Sequence, residues 1–279
     1  MQSIHSQQLD FCQGAARMKQ PSLIGIHEDC ELSGNTDKSS SAKSILILGA
    51  TSSIARACSE IFASRRCNLF LVSRDISELE RIAVDLRIRY NVDVDYAFFD
   101  ITQLDSHTIF FETLIDKMGS IDGILMAVGL IDKLDYQNVI AANFTGPISF
   151  LEHYVKYLTT QKKGFIIGLS SVAGDRGRKP NYVYGASKAA LTTYLQGLRN
   201  YLYPSNIQIL TVKLGLIDTK MIFGGKYPLC LAANPKNTAI KIIRALDRGR
   251  ESVYIPGIWR VIMLIIRLIP EKFFKSLSI

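Results

Sequence analysis

Tyr184 and Lys188, in the run Tyr182-Val183-Tyr184-Gly185-Ala186-Ser187-Lys188, carry the most specific chemical pattern in this chain. They are four residues apart, one helical turn, so on a helix the phenol and the ammonium share a face. A free phenol, with a pKa of about 10, gives up its proton reluctantly near neutrality. A cation beside it stabilises the phenolate and lowers that pKa, which makes the tyrosine a usable acid. Upstream, Ser170 and Ser171 end an apolar run. A hydroxyl there can hydrogen-bond an oxygen that is gaining negative charge and orient the group that bears it. Together these residue types suit proton delivery to a carbonyl oxygen while hydride reaches its carbon.

Such a set must be held by regular elements, and the chain supplies them. Short apolar runs at 44–49, 68–73, 92–99, 122–128, 164–170, 207–214 and 252–255 alternate with helical patterns near 53–66, 76–90, 103–118, 133–160, 184–203 and 235–248. Most of the runs are continuously apolar, which marks strands covered on both faces. The expected fold is α/β: a single Rossmann-type, doubly wound parallel sheet of about seven strands with helices on both faces. Residues 1–43 are polar and read as a disordered extension, 44–250 as the catalytic domain, and 251–279 as a last strand with an apolar-basic tail.

The first strand runs into Gly49-Ala50-Thr51-Ser52-Ser53-Ile54-Ala55. A glycine turn opening a helix aims backbone N–H groups and the positive helix end at a pyrophosphate. Gly49, Thr51, Ser52, Ser53 and Ile54 are therefore candidate cofactor contacts. The second strand ends at Ser73-Arg74-Asp75. An acid there would hold a ribose 2′-hydroxyl, whereas Arg74 would accommodate a 2′-phosphate, and the expectation is NADPH over NADH. Asp100 and Ile101, at the end of the third strand, are candidates for the adenine edge; Asp100 could equally cap the helix near Gln103.

On these residues the chain resembles the short-chain dehydrogenase/reductase family over about 44–220. The family's Tyr-x-x-x-Lys pair matches Tyr184 and Lys188. Its catalytic serine, thirteen residues before the tyrosine, selects Ser171 over Ser170. Its helix asparagine, which supports a proton-relay water, matches Asn143 in Ala142-Asn143-Phe144-Thr145-Gly146. The resemblance also implies cofactor contacts at Gly129 and at Thr219, the latter on the nicotinamide carboxamide. There are departures. Ser53 and Ala55 replace two turn glycines, Met126-Ala127-Val128-Gly129 replaces Asn-Asn-Ala-Gly, and Leu214-Gly215 replaces Pro-Gly.

The turn, Ser170-Ser171-Val172-Ala173-Gly174-Asp175-Arg176-Gly177-Arg178, the helix motif and the tail together are similar to one subfamily. It comprises the ketoreductase subunits of epimerases that convert polyprenylphosphoryl ribose to the arabinose epimer. That resemblance implies a lipid-linked 2-keto-pentose as substrate and a flavin-dependent sugar-lipid oxidase as partner. A reductase of a soluble ketone, such as a 3-oxoacyl thioester or a steroid-like compound, and a non-catalytic dinucleotide-binding protein are the alternatives.

Composition narrows the setting. The five cysteines show no paired spacing, so neither a disulfide framework nor a metal site is expected, and a reduced, cytoplasmic setting is the simplest reading. No signal peptide or membrane-spanning run is read. The net charge is +8, and residues 241–279 hold eight Lys/Arg against three acids, so the excess belongs to the tail and no nucleic-acid partner is inferred. There, Ile258–Ile269 is apolar around Trp259, with Arg260 and Arg267 on one face. This suits either peripheral contact with the inner face of the cytoplasmic membrane or the buried helix of a homo-oligomer.

Overall fold

The computed structural model describes residues 42–219 and 232–277. Residues 1–41 of the expected extension, and Cys12, Cys30 and Cys230, lie outside the described residues. Strands β1 (Ser44–Leu48), β2 (Asn68–Ser73), β3 (Val94–Phe98), β4 (Gly123–Met126), β5 (Phe165–Ser171), β6 (Gln208–Leu214) and β7 (Ser252–Ile255) form one sheet. All pairings are parallel, in the order β3-β2-β1-β4-β5-β6-β7. This is the expected doubly wound Rossmann-type sheet, and each strand lies within two residues of its expected bounds.

Alternation along β1 explains the two layers. Ile45 and Ile47 point to one face, under α1 (Ser53–Ser64), α2 (Ile76–Tyr90) and α7 (Pro235–Asp247), packing with Phe62, Leu79 and Ile242. Leu46 and Leu48 point to the other, under α3 (His107–Met118), α5 (Gly146–Gln161) and α6 (Tyr182–Leu202), packing with Phe111, Phe150 and Leu195. Each fully buried side chain of that size is worth roughly 1.5–3 kcal/mol, so both layers must be filled for the central strand to be stable.

Two helices differ from expectation. The helix expected over 103–118 begins with a tight turn at Leu104–Ser106 before α3. The one expected over 133–160 is broken: α4 (Tyr136–Ile140) passes into a wide turn over Ala141–Thr145, where Gly146 N donates to Ala141 O, five residues back, before α5 resumes. Pro147 supplies the reason. It has no N–H for the carbonyl four residues earlier, that of Asn143, and its ring would collide with that carbonyl in a regular helix.

After β7 the chain forms α8 (Ile258–Leu268) and α9 (Glu271–Phe274). Helix α8 docks through Trp259 and Met263 onto Val172, Leu216 and Tyr254. Among the described residues no helix is long and apolar enough to cross a membrane.

Candidate active site

The strand order reverses between β1 and β4, which is where an open α/β sheet leaves a crevice at its carboxyl edge. A cleft of about 1000 Å³ occupies that place, at the upper end of the size of ligand clefts. Gly49 makes the crossing from β1 into α1 feasible. Its φ is +79°, and a Cβ there would stand 2.9 Å from the carbonyl carbon and oxygen of Ala127 at the end of β4. Beyond it, Ser52 caps α1 by accepting from Ala55 N at 3.2 Å, and Thr51 Oγ1 is 2.9 Å from Ser73 Oγ. With no acid in its first turn, α1 presents an uncompensated positive end to the cleft.

The acids near β2 and β3 have defined local duties. Asp75 caps α2, accepting from Glu78 N at 3.1 Å and from Ser77 Oγ at 2.8 Å. Asp75 lines the cleft beside Arg74, whose exposed guanidinium lies 3.8 Å from Asp100. Asp100 also accepts from the backbone and hydroxyl of Thr102, at 3.0 and 2.8 Å. Its capping is therefore of its own turn and not of the helix that follows, while its carboxylate stays at the cleft. Sequence reasoning missed two further cations here. Arg56 and Arg81 line the same end of the cleft, and Glu78 binds both, Arg56 at 2.7 Å. The available signal for Arg56 was its place one turn after Ser52.

At the other end, α6 carries Tyr184 and Lys188, both buried and both lining the cleft. The ammonium of Lys188 lies 6.0 Å from the Tyr184 ring centroid, the outer limit of a cation–π contact. It donates to Leu169 O, within β5, at 3.1 Å and to Val128 O, just past β4, at 3.3 Å. Burial pushes its pKa down to about 8. Gly185 lets α6 approach the turn after β5: a Cβ there would meet Ala173 O at 2.7 Å.

The two serines have different surroundings. The hydroxyl of Ser170, which lines the cleft, donates to Lys188 O at 3.0 Å and is 2.7 Å from Thr192 Oγ1, tying β5 to α6. Ser171 Oγ makes one long bond to Leu214 O at 3.3 Å and accepts from Ala173 N at 3.1 Å. Asn143 is wholly buried in the wide turn, where its amide donates to Leu130 O at 2.7 Å and accepts from Leu130 N at 3.0 Å. It thereby pins the loop after Gly129.

Of the sequence-derived candidates, Gly49, Thr51, Ser52, Ser53, Ile54, Arg74, Asp100, Ile101, Gly129, Tyr184, Lys188 and Thr219 all line the one cleft. Ser171 and Asn143 do not line it; Asn143 is bonded to the backbone of Leu130, which does, and Ser171 follows the lining residue Ser170. The donors fit an extended phosphorylated dinucleotide: a helix end with a glycine turn at the middle, three guanidiniums at one end, and a Lys–Tyr pair at the other. No group of three or more metal-ligating side chains occurs among the described residues.

Known proteins share the sequence pattern and the fold of this chain. The profile of the family described as short chain dehydrogenase matches residues 43–223. An uncharacterized oxidoreductase of Streptomyces coelicolor is 30% identical over 253 residues, covering 87% of this chain and 99% of that protein. An NADP-dependent 3-hydroxy acid dehydrogenase of Schizosaccharomyces pombe is 29% identical over 233 residues, covering 76% and 90%. A short-chain dehydrogenase from Sphingobium yanoikuyae in complex with NADPH superposes with a TM-score of 0.71 at 22% identity, covering 79% of this chain and 91% of that one.

Proposed function

The chain belongs to the short-chain dehydrogenase family and is an oxidoreductase, and on that premise we propose that it uses NADPH to reduce a ketone, with Tyr184 as the acid. The observation that carries this reading is the placement of Tyr184 and Lys188 side by side on one turn of α6 at the floor of a dinucleotide-sized cleft. Likeness to NADPH- and NADP-using relatives supports the cofactor.

The bound dinucleotide would supply hydride to the carbonyl carbon. The Tyr184 hydroxyl gives its proton to the carbonyl oxygen, so the ketone becomes an alcohol as NADPH becomes NADP⁺. Lys188 holds positive charge near the phenolate that remains, and its two carbonyl contacts fix the ammonium there with a third donor to offer a ligand hydroxyl. Ser171 steadies the carbonyl oxygen. Ser170 lines the cleft but is committed to bridging β5 to α6, whereas the Ser171 hydroxyl donates only one long bond, to Leu214 O, and is free to turn toward the carbonyl. Asn143 holds the Leu130 loop, and its carbonyl, which cannot bond to Pro147, is suited to a relay water that reprotonates Tyr184 by way of Lys188. At the far end Arg74, with Arg56 and Arg81 around Glu78, would hold the 2′-phosphate, and Asp100 and Ile101 would lie beside the adenine.

For the substrate, we favour a 2-keto-pentose linked to a polyprenyl phosphate, produced by a flavin-dependent sugar-lipid oxidase, with the enzyme peripheral to a membrane. The turn and tail motifs and the apolar tail support this. A second reading, a soluble ketone, is favoured by the likeness to a 3-hydroxy acid dehydrogenase. NADPH oxidation with small 3-oxo compounds, compared with a lipid-linked keto-sugar, separates the two. The core claim is tested by Tyr184→Phe, which removes the proton donor and keeps the ring. Its kcat should fall by roughly 10²–10⁴ while NADPH binding, read by fluorescence, persists. Turnover within a few-fold of the parent enzyme would overturn it.

A further inference from the structure

Helix α8 has two apolar faces where a surface helix needs one. Trp259 and Met263 are buried against the body of the protein. On a second arc Ile258, Val261, Leu264, Ile265 and Leu268 are 53–73% exposed. At 100° per residue, these five positions occupy about one third of the helix circumference. Phe273, 62% exposed, extends the patch beyond Pro270. Isolated exposed apolar residues need no explanation, but a contiguous patch marks a contact surface.

The charges beside the patch are of one sign. Arg260 and Arg267, two turns apart, both exposed, run along the border between the buried and the exposed arcs, and exposed Lys272 and Lys275 follow. The one acid in residues 257–277 is Glu271, and Arg176 already binds it at 2.9 Å. Arg176 also fixes how the helix is presented. It comes from the turn that follows Ser171, donates to the carbonyls of Ile266 and Ile269 at the open end of α8, and stacks 3.7 Å from the Phe274 ring centroid. Helix α8 is thus clamped with its second apolar arc outward.

We propose that this arc is a docking surface for anionic lipid, with α8 lying flat in the membrane interface. Its 11 residues span about 16 Å, too short to cross a bilayer but sufficient to lie along one. The apolar arc would enter the headgroup–acyl boundary while Arg260, Arg267, Lys272 and Lys275 meet lipid phosphates. Charge decides against a second copy of the chain as the occupant. Twofold pairing of α8 would set these cations against their own images, with no unengaged acid on the segment to receive them. The proposal deepens the membrane-peripheral reading given above by naming the surface and the lipid, and it holds whether or not the ketone is lipid-linked.

Sedimentation of the full-length protein with phosphatidylcholine vesicles, with and without phosphatidylglycerol, tests it. The parent protein should bind the anionic vesicles at low salt. The Arg260→Gln/Arg267→Gln double variant should bind about 25-fold more weakly, about fivefold for each cation, and Leu264→Glu/Ile265→Glu should not bind. Both variants should oxidise NADPH with a soluble ketone as the parent does, which separates failure of docking from failure of the reductase reading. Absence of binding to anionic vesicles at low salt overturns the proposal. So does equal binding to both vesicle types that is indifferent to the arginines. A dimer in sedimentation velocity that is lost in Leu264→Glu/Ile265→Glu, without vesicle binding, would assign the face to a second copy instead.

Discussion

Replacing Lys188 by Met should change how the stability of the cofactor-free protein depends on pH. Burial lowers the lysine's pKa from 10.5 to about 8, so between those values the unfolded chain binds more protons at this site than the folded one. Folding therefore carries the full desolvation cost below pH 8, sheds it as pH rises, and is free of it above 10.5. The shift corresponds to about 3 kcal/mol at pH 7 and leaves about 1 kcal/mol at pH 9.5, a gain of ~2 kcal/mol across the interval. Met keeps the length of the side chain and removes the charge. It also strips the donor from Val128 O and Leu169 O, but that cost, roughly 1–3 kcal/mol for each group left buried, is the same at both pH values. The informative quantity is therefore the parent-minus-variant difference at pH 7 subtracted from that at pH 9.5, which cancels other titrating groups. In urea titrations without cofactor, the parent should gain about 1 M in midpoint relative to Lys188→Met over this range. A difference that stays constant with pH would show that Lys188 carries no desolvation cost in the cofactor-free protein.

Two other outcomes follow from the cleft. Arg74→Ala should collapse the preference for NADPH over NADH by on the order of tenfold to a hundredfold in kcat/KM, the worth of one charge-assisted pair; a parent enzyme that prefers NADH would make Arg74 a mere partner of Asp100. Gly49→Ala places a Cβ 2.9 Å from the Ala127 backbone at a φ of +79°, so stability should drop by about 2 kcal/mol or more and dinucleotide binding should weaken with it. An unchanged urea midpoint in that variant would show that β1 and β4 can part without cost.

The local sequence was sufficient wherever period and composition dictate the outcome. Apolar runs marked the seven strands, the four-residue spacing put Tyr184 and Lys188 on one helical face, and the Gly49 turn began α1 at Ser53. The widened turn was also written locally, in Pro147 four residues after Asn143, although helical periodicity masked it. The folded chain decided the rest, chiefly through contacts between distant segments. Asp75 next to Arg74 left the cofactor choice open in sequence, because a carboxylate there can bind a ribose or cap a helix. Only the folded start of α2 shows it accepting from Glu78 N. Arg56 and Arg81 belong to different helices and meet at Glu78 only after β1 and β2 pair. Ser170 and Ser171 are chemically identical neighbours, and strand pleat alone sends one to Thr192 on α6 and the other toward Leu214 on β6. The apolar character of 258–269 was plain from its composition, but not which face of the helix would be buried. Trp259 filling the space above Gly215, and Arg176 closing the helix end from a turn some ninety residues earlier, settle that in three dimensions. Side-chain burial depends on what packs opposite, and the sequence of one segment does not contain its opposite.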